Sequence, residues 1–76
     1  MIIINQDHDA MINTSECVSI NRRGNTISAT IKVFNEGKMP RIKLGEYNND
    51  KTARTEFERI EIAIMDKKTI YRMTSK

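Results

Sequence analysis

The sequence predicts an α+β fold: an antiparallel meander sheet with one amphipathic helix packed on its apolar face and a short C-terminal strand, all in a single domain over residues 1–76. Three observations carry this prediction. Residues 17–47 contain three runs in which apolar and polar side chains alternate, the period of a half-buried strand. Residues 50–66 change to the period of a helix, and breaks rich in Gly, Asn and Asp separate the segments. Neither amphipathic layer is stable alone, so the helix is expected to cover the sheet.

Ile2 to Ile4 reads as a first short strand, and Asn5-Gln6-Asp7-His8-Asp9 as a turn from which Ala10 to Ile12 returns as a second. From Cys17 to Arg23, Val18 and Ile20 fall on one face, with Ser19 and Asn21 on the other. Gly24-Asn25 then suits a two-residue type II′ hairpin, because glycine takes the positive φ of the first turn position at no steric cost. The next strand places Ile27, Ala29, Ile31 and Val33 inward, with Phe34 on its polar side, and Asn35-Glu36-Gly37-Lys38 forms the following turn. Pro40 precedes a third strand, Arg41 to Tyr47, with Ile42 and Leu44 inward.

Ala53, Phe57, Ile60 and Ile64 make one stripe on a helix over residues 50–66. Asn49 is placed to cap it, Asp50 complements its positive end, and Lys67 and Lys68 its negative end. Asp50 with Arg54, Arg54 with Glu58 and Glu56 with Arg59 are spaced to pair along its wet surface. Thr69 to Met73 has the composition of a last strand.

The chain has 38% hydrophobic and 30% charged residues, as an ordinary globular protein does. No apolar run approaches the roughly 20 residues that span a bilayer, so no membrane partner is expected. The N-terminus reaches Asn5 after four apolar residues with no basic flank, unlike a secretory signal peptide. One cysteine, Cys17, excludes an internal disulfide, and both features predict the cytoplasm. A single His and no Cys-x-x-Cys, His-x-x-x-His or phosphate-loop motif give no catalytic residue, metal site or cofactor, so no enzyme is expected.

Charge carries more information. Residues 17–46 hold six basic and two acidic side chains, residues 67–76 four basic and none acidic, while residues 1–16 and 47–66 are net acidic. Lys32, Arg41 and Lys43 fall out of phase with Ile31, Val33, Ile42 and Leu44, and are expected to share the exposed sheet face with Arg22 or Arg23. Such a face would bind an anion or an acidic partner; its competing explanation is that basic residues keep strand edges from pairing. A nucleic-acid platform would add stacking aromatics, for which Phe34, Tyr47 and Tyr71 are the candidates. Ile62, about half a turn away from the apolar stripe, and Met65 near it define a second candidate interface, for a partner or a homodimer.

Met1-Ile2-Ile3-Ile4-Asn5-Gln6-Asp7, Leu44-Gly45-Glu46-Tyr47 and Ile70-Tyr71-Arg72-Met73 frame most of the chain. In these segments its layout resembles small uncharacterised proteins encoded by phages and mobile elements of Gram-positive bacteria. Ala53-Arg54-Thr55-Glu56-Phe57-Glu58-Arg59-Ile60 stands where similar proteins carry an Ala-rich, Glu-rich helix. The resemblance implies a class of proteins that bind something of the host's, including inhibitors of CRISPR nucleases and proteins that sequester nucleotide immune signals. The expected function is therefore a non-enzymatic binding protein that inhibits or modulates a host protein or ribonucleoprotein. Two alternatives stand beside it: direct binding of nucleic acid or a small anionic nucleotide, and a structural phage component or homo-oligomeric module.

Overall fold

The computed structural model describes residues 1–32 and 37–75. Val33, Phe34, Asn35 and Glu36, expected to end a strand and open a turn, lie outside the described residues. The elements run β1 (Ile2–Ile4), β2 (Met11–Asn13), a single 3-10 turn (Thr14–Glu16), β3 (Cys17–Arg23), β4 (Thr26–Ile31), β5 (Arg41–Glu46), α1 (Asp50–Met65) and β6 (Ile70–Arg72). The class is α+β, as the sequence predicts, and β3, β4 and β5 form the antiparallel meander. The short terminal strands build a second sheet of order β2-β1-β6, in which β6 runs parallel to β1. Such a long-range parallel pairing leaves no local mark in three-residue strands.

Arg23 pairs with Thr26 across the β3–β4 hairpin, and Gly24 has φ +57° while Asn25 stays at negative φ. A positive φ at the first turn position alone is the signature of type II′. Two bulges then break the alternation. In β3 the register shifts between Cys17 and Ser19, so Val18 is extra and half-exposed instead of inward. In β5 it shifts opposite Ile27 and Ser28, so Leu44 and Gly45 are both buried and Glu46 returns to the outer face with Lys43. Ile42 keeps its inward phase opposite Ala29 but lies near the rim, 36% exposed.

The core is Ile3, Ile27, Ala29, Leu44, Tyr47, Ala53, Ile60 and Met73, with Phe57, Ile20, Ile12 and Tyr71 packed at its margin. Asn49 caps α1 by accepting from the Thr52 amide at 2.8 Å. The buried stripe of the helix is Ala53, Glu56, Ile60 and Ala63. It is rotated from the expected one: Phe57 is only half-buried and Ile64 is 52% exposed. Glu56 is 3% exposed, so it does not pair with Arg59 on a wet surface. The pairs expected at Asp50–Arg54 and Arg54–Glu58 are also absent among the described residues, where the one ion pair is Lys43–Glu46 at 3.3 Å.

Lys67 closes the helix in the left-handed region at φ +57°. Its amide donates to the Ile64 carbonyl at 3.1 Å and that of Lys68 to the Ala63 carbonyl at 3.0 Å, the two bonds of a Schellman motif. Glycine normally fills this position because a Cβ there meets the following carbonyl. Lys67→Gly is accordingly expected to stabilise the protein by about 0.5 to 1 kcal/mol, a rise of a few degrees in Tm by calorimetry.

Gln6 joins the two sheets. Its amide donates to the Leu44 carbonyl at 2.8 Å, its side-chain Nε2 donates to the Glu46 carbonyl at 2.9 Å, and its Oε1 accepts from the Glu46 amide at 2.8 Å. The carboxamide thus stands in for a further strand at the free edge of β5, which would otherwise be open to pairing. Gly45 is needed for this approach, since a Cβ there would lie 3.2 Å from the Tyr47 ring and 3.3 Å from Gln6 Cβ.

Candidate functional site

The outer face of the β3-β4-β5 sheet follows from its register. Three rows cross it: Arg23, Thr26 and Glu46; Asn21, Ser28 and Lys43; Ser19, Thr30 and Arg41. Small hydroxyl side chains run down the central strand, and longer polar or cationic ones line both outer strands. Ser19, Asn21, Arg23, Thr26, Ser28, Thr30 and Arg41 together line an open concavity of about 380 Å³. Its centre is shallow because Thr26, Ser28 and Thr30 are short, and its cations stand at diagonal corners, Arg23 beside the hairpin and Arg41 at the far end of β5.

Of the five basic residues singled out in the sequence, the structure brings Arg23, Arg41 and Lys43 onto this face. Arg22 is not among them. It pairs with Ile27 on the inner side of the sheet, and its guanidinium Nη1 donates to the Gly24 carbonyl at 2.8 Å, bracing the hairpin. Lys32 lies past the end of β4, its amide donating to the Glu16 carbonyl at 2.8 Å. It stands beside Cys17, whose thiol is pushed up by burial and by Glu16, with Lys32 opposing. A raised thiol is a poor nucleophile.

Lys43 is partly neutralised by Glu46, which the β5 bulge returns to the same face; both side chains remain accessible, so the pair contributes little to folding. The residues that sequence reading missed are Ser19, Asn21, Thr26, Ser28 and Thr30. Their signal was present: the hydroxyls of β4 alternate strictly with Ile27, Ala29 and Ile31.

The aromatic candidates do not join this surface. Tyr47 is buried at 2% exposure and its hydroxyl donates to the Thr74 carbonyl at 2.8 Å. Tyr71 is half-buried and donates to Glu56 Oε2 at 2.7 Å. Phe34 lies outside the described residues. Base stacking, which drives most sequence-tolerant single-strand binding, therefore has no side chain on this face among the described residues.

Ile62 and Met65 are 50% and 66% exposed, three residues apart on α1 and so neighbours on its surface. Met65 lines an apolar groove with Ile20, Phe57, Ile60, Glu61 and Ile64, between α1 and β3, from which Ile62 stands apart. Among the described residues no helix is long and apolar enough to cross a membrane, and no group of three His, Cys, Asp or Glu side chains is placed to hold a metal ion.

Fold and face together define a small α+β protein with a cationic, hydroxyl-floored sheet surface. No protein family, curated protein or solved structure matches the chain.

Proposed function

We propose that this protein is a non-enzymatic binding module that inhibits or modulates a host protein or ribonucleoprotein in the host cytosol, such as a CRISPR or other defence system, on behalf of a phage or mobile element. Contact is made through the outer face of the β3-β4-β5 sheet, with an acidic surface of the partner. The observation that supports this reading is that Arg23, Arg41 and Lys43 share one sheet face, floored along its central strand by Thr and Ser hydroxyls. Cations at the rim accelerate encounter with a negative partner, and short hydroxyls and Asn21 supply hydrogen bonds without the entropy loss of long side chains.

The test is replacement of Arg23, Arg41 and Lys43 together by Ser. Exposed substitutions cost under about 0.5 kcal/mol each, so Tm should move by only a few degrees. Affinity for the partner recovered from host lysate and purified should fall at least about tenfold, with a flatter salt dependence. Arg22→Ser and Lys32→Ser should leave that affinity unchanged. Displacement of the partner by unrelated RNA or by nucleotides would favour direct binding of phosphate instead, and full affinity in the triple variant would eliminate this face.

A further inference from the structure

The β2-β1-β6 sheet has an outer face of the opposite character. Ile3, Ile12 and Tyr71 are cross-strand neighbours and turn toward the core. The alternate positions, on the other side, are Ile2 and Ile4 on the central strand, Met11 and Asn13 on β2, and Ile70 and Arg72 on β6. Both faces of this sheet are therefore apolar, whereas an antiparallel or mixed sheet covered on one side normally turns polar residues to water. Met11 is 70% exposed and Ile70 58%. Four clustered large apolar side chains on one sheet face are unlike the scattered exposed residues of an ordinary surface.

We propose that this face is a homodimer interface, in which the β2-β1-β6 sheets of two copies pack face to face about a two-fold axis parallel to β1. The rim charges select a second copy over other occupants. Arg72 lies at the β6 side and Asp9 at the β2 side of the same end, and both line one concavity with Ile4, His8 and Met11. Asp9 is held there by Asn5, whose Nδ2 donates to Asp9 Oδ1 at 2.8 Å and whose Oδ1 accepts from the Asp9 amide at 3.0 Å. A two-fold axis along β1 exchanges left and right while keeping the end of the sheet. Ile2 and Ile4 then meet their own counterparts, and Arg72 of each copy stands over the Asp9 end of the partner. A face carrying both signs on opposite sides of the axis is self-complementary, as an isologous contact requires. A lipid surface or a partner of single charge would instead favour a rim of one sign.

The contact is small. Three strands about 4.8 Å apart, each contributing three residues about 3.3 Å apart, give well under the roughly 800 Å² per partner of a stable complex. Association is therefore weak, with a Kd on the order of 100 μM.

Sedimentation equilibrium of the whole chain from about 10 μM to 1 mM tests this range around the expected Kd. The weight-average mass should rise toward that of a dimer, and Met11→Ser with Ile70→Ser should weaken association at least about tenfold while circular dichroism stays unchanged. Arg72→Asp and Asp9→Arg should each remain monomeric, because each places like charges opposite one another across the axis, yet an equimolar mixture of the two should associate. Recovery in the mixture reports pairing between copies, which a contact within one chain cannot produce. A wild-type chain monomeric at the highest concentration, a mixture no more associated than its components, or dimerisation abolished by Met65→Ser but not by Met11→Ser would each overturn the proposal.

Discussion

Glu56→Ala should cost about 3 kcal/mol, comparable to the whole margin of about 3 to 5 kcal/mol that a core of this size supplies. The carboxylate is 3% exposed, and its Oε2 accepts from the Tyr71 hydroxyl at 2.7 Å and from the Thr74 amide at 2.9 Å. Both donors belong to the chain end that carries β6, so a helix side chain fastens the last strand of the other sheet. Bonds to a charged acceptor contribute about 1.5 to 3 kcal/mol each, and alanine would leave both donors without it. Glu56→Gln keeps an oxygen for both donors and should cost about 1 kcal/mol. Thermal melts and exchange of the Thr74 amide measure the two effects; an unchanged midpoint in the alanine variant would show that the carboxylate does not hold β6.

Alkali probes the same cluster with a defined sign. Burial pushes the Tyr47 hydroxyl up to about 12, with Glu56 adding and Arg59 opposing, and burial followed by the bond to Glu56 raises Tyr71 as well. Both phenols thus lose protons more readily in the unfolded chain. Their contribution to stability is fully present below about pH 10; that of Tyr47 should be lost as pH rises from there through about 12, and that of Tyr71 only at still higher pH.

The cluster also marks where reading from sequence stopped. Period-two alternation located β3, β4 and β5, and the helical period with Asn49 located α1, because these signals are local and repeat over several residues. The Gly24 turn was legible because a two-residue hairpin needs a positive φ at its first turn position, which glycine takes at no steric cost. Glu56 was not, since a charged residue at i+3 from Ala53 reads as solvated until a partner hydroxyl 15 residues away is known.

The bulges at Val18 and Leu44 were hidden for a related reason. Each adds one residue to a strand, and everything beyond it changes face. Leu44 and Gly45 being buried together, and Glu46 joining Lys43 outside, follow from that single insertion. The basic face survived in part because Arg41 and Lys43 lie on one side of the bulge and Arg23 needs only the hairpin register. Arg22 and Lys32 were separated from it by strand parity and by the end of β4.

Ile60→Ala should destabilise the protein by about 2 to 4 kcal/mol, and Phe57→Ala by distinctly less. The sequence stripe Ala53, Phe57, Ile60, Ile64 assigns both side chains to the core, with the larger aromatic expected to dominate. The helix is instead turned so that Ala53, Glu56, Ile60 and Ala63 face inward. Two of these are alanines, which let the helix approach the sheet closely, and one is the carboxylate that bonds to Tyr71 and Thr74. Ile60 is therefore the one large apolar side chain that α1 buries fully, at 2% exposure, among Ile27, Ala29, Leu44 and the rest of the core. Removing three methyl or methylene carbons there opens a cavity that the surrounding strands cannot fill without breaking their ladders. Phe57 lies at the margin, on the groove shared with Ile20 and Ile64, where water already reaches part of the ring. Its truncation exposes a groove instead of emptying a cavity. Urea unfolding of the two variants, compared at constant m-value, measures the difference; a larger loss for Phe57→Ala than for Ile60→Ala would mean that the helix is rotated back onto the stripe read from the sequence.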